Sequence, residues 1–205
     1  MHKLNIEKLI RNFEKRNIAA SYYKDLEEVK SKIFKMIPKD SLIGIGNSRT
    51  LKKMKLSKDL TKNGYNVLDK TLAKSKEESV ELKRRSLLTD FYITGTNAIS
   101  SEGHIVNIDH SGNRVAAMIY GPKKVIVVIG INKITETLDQ AIDRVKNIAA
   151  PLNAKRAGFN PPCVKSSECI DCTSDERVCN SMAIIEGQRR KDRIKVMIVD
   201  EELGF

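Results

Sequence analysis

Apolar residues recur every three or four positions at the start of the chain. Leu4, Ile6, Leu9, Ile10 and Phe13 share one face over residues 4–17 and predict an amphipathic helix. A short extended piece, residues 18–23, follows. Asp25 and Glu28 then form a capping-box pattern ahead of Leu26, Val29, Ile33, Phe34 and Ile37, which continue on a second helical face until Pro38. Beyond that point the period shortens. Residues 41–45, 65–69, 90–94, 124–129 and 194–199 are compact apolar runs of strand length. Between them lie capped helical stretches: from Asn47 to about residue 60, from Ser75 to about 88, and from Thr137 to about 149. His104 to Asp109, bounded by glycines 103 and 112, reads as one arm of a short strand excursion. Residues 150–182 show no clear period.

Strands that alternate with helices predict an α/β fold with a mostly parallel sheet. The two opening helices are expected to pack on it. The whole of residues 1–205 reads as one domain, with residues 1–38 as an N-terminal helical segment and 159–182 as a cysteine-rich insertion before the last strand.

Composition narrows the class. Hydrophobic residues make up 40% and charged residues 31% of the 205 positions, ordinary for a globular protein. No run of eighteen apolar residues occurs, so no membrane span is expected. The first sixteen residues are charged throughout and lack an apolar signal core, which predicts a cytoplasmic rather than a secreted protein. Residues 1–62 carry 16 Lys and Arg against 7 Asp and Glu. Those lysines are interleaved with acids on amphipathic helices and aromatics are only 5%, so a solvated surface is favoured over a nucleic-acid interface. A basic rim that draws in an anion fits the same charge.

Three strand ends carry small polar residues. The first is Gly44-Ile-Gly46-Asn47-Ser48-Arg49-Thr50, a glycine loop before a helix start. Such a junction suits a phosphate or carboxylate. It is neither a Walker loop nor a complete G-x-G-x-x-G, since Arg49 stands at the third glycine's place. The others are Gly95-Thr96-Asn97 and Gly130-Ile-Asn132-Lys133, with Asn113 and Arg114 as further candidates after Ser111-Gly112. Ligands of open α/β sheets bind beyond the carboxyl ends of strands, so convergence of these loops predicts an anion site. Taken singly, the asparagines also suit plain turns, and Lys133 reads as a catalytic amine, an anion contact or a surface charge. The three histidines, His2, His104 and His110, show no metal-ligand spacing.

All four cysteines fall between 163 and 179, as Cys163, Cys169, Cys172 and Cys179, spaced C-x5-C-x2-C-x6-C. The stretch is polar and offers almost no apolar packing of its own. Four converging thiolates serve a 4Fe–4S cluster or, as the alternative, zinc. A single C-x2-C with irregular outer spacings suits the cluster better than a double zinc knuckle.

In their order these motifs resemble the LUD-domain (lactate-utilisation) family. The matching stretches are GIGNSRTL (44–51), DFYITGTNAISSEGHIVNID (90–109), GNRVAAMIYGPKKVIVVIGINKI (112–134), AIDRVKNIAAPLNAKR (141–156), the four-cysteine run and the closing IKVMIVDEELGF. The four-cysteine tail resembles a short branch of that family. The resemblance implies a Rossmann-like parallel sheet, a fold like that of ribose-5-phosphate isomerase, glucosamine-6-phosphate deaminase and the CoA transferases, in which the first glycine loop holds phosphate. Where the sugar-phosphate isomerases are acidic, this chain has Thr94 and Asn97, so their proton shuttle is missing. What the resemblance implies for function is organic-acid utilisation, with protein subunits of a redox complex as partners. An enzyme acting on a sugar phosphate or CoA ester, with structural zinc, is the rival role; a regulatory binding module is a third.

Overall fold

The computed structural model describes residues 5–166 and 168–205. Leu4 and His2 lie outside them. Ten strands and nine α-helices are described. The chain opens with α1 (Ile6–Lys15), β1 (Ala19–Tyr23) and α2 (Leu26–Met36). Asn5 Oδ1 caps α1 by accepting from Lys8 N at 2.8 Å, and Asp25 Oδ1 caps α2 through Glu28 N at 2.9 Å. Next come β2 (Leu42–Ile45), α3 (Arg49–Lys53), α4 (Leu56–Lys62), β3 (Asn66–Asp69), α5 (Lys76–Arg85) and β4 (Phe91–Gly95). The helix expected over 47–60 is broken in two, because Lys55 turns left-handed at φ 55°.

A hairpin of β5 (Ala98–Ser100) and β6 (Ile105–Asp109) leads to α6 (Asn113–Ile119) and then to β7 (Lys124–Gly130). A single turn at 131–133 precedes β8 (Ile134–Thr135). Helix α7 (Leu138–Arg144) starts at a complete capping box of Thr137 and Gln140. It runs through a π-helical turn, Val145–Ala149, into α8 (Ala150–Ala157). Residues 150–157, which carry no clear period, are therefore helical. The short α9 (Cys163–Ser166) is followed by β9 (Ser181–Ile185) and β10 (Ile194–Val199).

Six strands form one fully parallel sheet in the order β1-β10-β7-β4-β2-β3. This is the α/β, Rossmann-like arrangement expected. Its central strand β7 is apolar without alternation because both faces are covered. Ile126 and Val128 pack with α2, α3 and α4 on one side, whereas Val125, Val127 and Ile129 pack with Leu9 and Phe13 of α1 on the other. The second sheet has the order β8-β5-β6-β9. Strand β9 pairs antiparallel with β6, Ile185 opposite Ile105, in a stretch that carries no strand signal of its own.

The chain leaves β2 for β3 at one side and returns to β4 on the other. That reversal of strand order opens a crevice between the carboxyl ends of β2 and β4. No described helix is long and apolar enough to cross a membrane.

Candidate functional site

The crevice is a cavity of about 240 Å³ at the strand ends. Of the expected ligand residues, Asn47, Ser48, Gly95, Thr96, Asn97, Asn113, Arg114 and Lys133 line it. The first two loops touch: a Cβ added to Gly95 would stand 2.6 Å from Ser48 Oγ. Helix α3 is only five residues long, and Ser48 Oγ already meets its Leu51 N at 3.5 Å. The helix-terminus dipole expected there is correspondingly small, and side-chain charge dominates the site instead.

Four expected residues do not line this cavity. Gly44 sits inside β2, where a Cβ would approach Tyr92 Cδ2 to 2.8 Å, so its smallness serves the packing of a buried tyrosine. Gly46 would meet Thr94 Oγ1 at 2.5 Å. It lines a second cavity of about 550 Å³, on the far side of Asn47 and Ser48, between α3, α4 and the end of β3. Thr50 is 1% exposed, and its hydroxyl has no hydrogen-bond partner among the described residues. Asn132 Oδ1 accepts from Leu203 N at 2.9 Å, which secures the C-terminal stretch over the strand ends.

Arg114 has a different role from the one expected. Its Nε donates to Asp109 Oδ1 at 2.9 Å. Nη1 donates to Asn107 Oδ1 at 2.7 Å and to Gly95 O at 3.2 Å; Nη2 donates to Asn97 Oδ1 at 2.7 Å and to Ile108 O at 2.9 Å. All five guanidinium donors are engaged. Arg114 therefore ties β6 to the 95–97 loop and contributes charge, but has no free donor for a ligand.

The cavity gains cations that the motifs did not mark. Arg49, Lys70, Lys83 and Arg156 join Arg114 and Lys133 in its lining, against one side-chain carboxylate among the described residues, Asp109, which Arg114 holds. Lys70 directly follows β3, so it obeys the same strand-end rule as the expected residues. Lys83 and Arg156 sit on helices α5 and α8 and carry no local signal. Burial, and then the nearby Lys83 charge, pushes the Lys70 amine down. Lys133 is 6% exposed, so the surface-charge reading is corrected. Its amine is pushed down to about 7, by burial first and then by Arg144 and Arg114.

The cysteines lie next door. All four line a small cavity of about 20 Å³ together with Ile108, Lys146, Ala150, Ile170, Asp171 and Arg177. Ile108 and Ala150 also line the cationic cavity, as does Val178, the neighbour of Cys179. Arg177 clamps the loop, donating from Nη1 to Cys172 O at 2.5 Å, from Nε to Cys179 O at 3.2 Å and from Nη2 to Asp171 Oδ1 at 2.9 Å. Cys169 N donates to Asn147 Oδ1 at 2.8 Å, which joins the loop to the π-helical turn. Such turns are over-represented at functional sites. Among the described residues no three His, Cys, Asp or Glu side chains close into an ion-holding group. Four cysteines and, among the described lining residues, one carboxylate, Asp171, border that space, a donor set of the kind a thiolate-bound centre uses. Burial first, and then the other cysteines, pushes the Cys163 thiol up; a cationic centre would reverse that. His104 is held by Ser100 Oγ at 2.8 Å and His110 stacks edge-on against Phe159, so neither joins the thiols.

Fold and cavity together define a Rossmann-like α/β domain with a cationic cleft at its switch point. The LUD domain family model matches residues 6–199, and the chain belongs to that family. A crystal structure of a DUF162 family protein from Deinococcus radiodurans is similar over 96% of this chain and 99% of its own, with 19% identity and a TM-score of 0.54. At that identity the likeness speaks for the fold alone. The curated proteins give no match.

Proposed function

We propose that this LUD-domain protein binds a small organic anion of lactate-type metabolism in the cleft and carries a 4Fe–4S cluster on Cys163, Cys169, Cys172 and Cys179. One observation carries the reading: six basic side chains surround about 240 Å³ of polar space, and the only side-chain carboxylate among the described lining residues is already paired. Such a cavity attracts a ligand with one or two negative charges and few atoms. Asn47 and Ser48 supply polar groups to orient it, while Arg49, Lys70 and Lys83 supply charge. A cluster, when bound, would supply one-electron chemistry beside that anion. The protein's part is to hold the backbone of the cysteine loop with Arg177 and Asn147 and to set Ile108 and Ala150 as the wall between the two spaces. A cytoplasmic redox complex with further subunits is the setting we infer.

Two measurements test this. Lactate, pyruvate and inorganic phosphate are titrated while the melting temperature is followed; at a hundred times its dissociation constant a ligand stabilises by ~2.7 kcal/mol. No shift with any of the three removes the anion site. Iron, sulfide and zinc are measured on anaerobically isolated protein. Stoichiometric zinc without iron replaces the cluster by a structural metal and favours the rival enzyme role.

A further inference from the structure

Lys133 lacks the partner that its burial calls for. It closes the turn after β7 and is 6% exposed, yet among the described residues its Nζ meets only the carbonyl oxygen of Thr96, at 3.3 Å. None of the ion pairs among the described residues includes it. Arg144 braces the walls beside it, with Nη1 on Asn97 O at 2.7 Å and Nε on Asn132 O at 3.3 Å. The backbone of Gly204 passes close above: a Cβ there would lie 3.2 Å from the Lys133 Nζ. A lysine kept for packing would be paired or would reach solvent. Here an amine is fixed inside a polar cavity among guanidinium groups, the setting that keeps a lysine neutral and nucleophilic.

We propose that Lys133 is the reactive amine of the cleft and captures the carbonyl carbon of a small 2-oxo acid as an iminium adduct. This rests on reading the cleft as an organic-anion site. The lone pair of neutral Nζ attacks the carbonyl carbon, and the C=O π pair moves to oxygen. Transfer of a proton from nitrogen to that oxygen gives the carbinolamine. Uptake of one further proton and loss of water leave the C=N⁺ bond. Amine, carbonyl and one proton thus become iminium and water, with no change of oxidation state. A carboxylate next to the carbonyl fits both needs of the site: it makes the carbon electron-poor and gives Arg49, Lys70 and Lys83 an anion to hold. The cavity size favours such a small ligand over a nucleotide-sized one.

The test uses pyruvate as the probe. The full chain is incubated with pyruvate and cyanoborohydride near neutral pH, and reduced adducts are mapped by peptide mass spectrometry. Lys133 is expected to carry the adduct about tenfold more often than exposed lysines, whose amines are almost fully protonated there. Yield at Lys133 should rise between about pH 6 and 8, and excess lactate should protect it. Lys133→Arg and Lys133→Met, the second close in volume, both lack the nucleophilic amine and should lose the adduct; the anion site is read separately, from the melting shift of the native chain with lactate. If adduct at Lys133 only equals that at exposed lysines while anions still stabilise the protein, the reactive amine is refuted and the anion site stands. If no anion stabilises the protein and no adduct forms, both readings fall.

Discussion

Arg114 Nε donates to Asp109 Oδ1 at 2.9 Å, and the same carboxylate caps the helix on which Arg114 sits. Asp109 Oδ2 accepts from Arg114 N at 2.8 Å and from Val115 N at 3.2 Å. The pair is 14% and 11% exposed at its side chains, so neither partner is easily rehydrated if the other is removed. Arg114→Ala should cost about 3–5 kcal/mol, the range for breaking a buried pair. Arg114→Lys should recover little, since a point charge cannot replace five fixed donors. Urea unfolding of the three proteins checks this; an Arg114→Lys midpoint equal to that of the native chain would contradict the strut.

Burial of Lys133 sets a stability cost with a definite sign. The amine falls from 10.5 in the unfolded chain to about 7 in the folded one. Below about pH 7 both states are protonated and the penalty is complete, on the order of 5 kcal/mol. Between about pH 7 and 10.5 the unfolded chain binds more protons, so this contribution to stability improves as pH rises. Lys133→Met should therefore stabilise the protein most near pH 6 and least near pH 10. Denaturation midpoints at both pH values decide it, and a variant less stable at pH 6 would contradict the unpaired ammonium.

Glycines of the first loop separate packing from binding. A Cβ at position 44 meets the Tyr92 ring at 2.8 Å, whereas one at 95 meets Ser48 Oγ at 2.6 Å. Gly44→Ala should cost about 1–3 kcal/mol by overpacking and leave lactate affinity unchanged. Gly95→Ala should displace Ser48 and weaken lactate binding. Calorimetric titration beside thermal melts distinguishes the two; equal loss of affinity in both would place Gly44 back in the site.

Ile108 and Ala150 line both cavities, so occupancy of one should be felt in the other. Lactate should perturb the absorption or paramagnetic spectrum of the metal-loaded protein, and metal loading should change lactate affinity by the same factor as lactate changes metal affinity. Cys169→Ser should abolish loading and free the loop to proteolysis. A spectrum indifferent to saturating lactate would make the metal a remote staple.

Local pattern was legible where it answered to a local cause. The alternation of strands and helices, the caps at Asp25 and Thr137 and the run of residues 194–199 all survive in the fold, because short-range hydrogen bonding and period determine them. The glycine loops were found at the right strand ends. Which of their residues face the cleft was not, since the pleat of β2 turns Gly44 toward Tyr92.

By itself the sequence determined a parallel α/β domain, three polar strand ends and four clustered thiols. Tertiary structure decided what these become. Strand order places β2 beside β4 and brings Lys70, Lys83 and Arg156 from three separate elements into one cavity. It also decides that Arg114 is saturated while Lys133 is buried without a carboxylate. Charge and hydrogen bonding across such distances in sequence depend on which chains meet in space, and no periodicity records that.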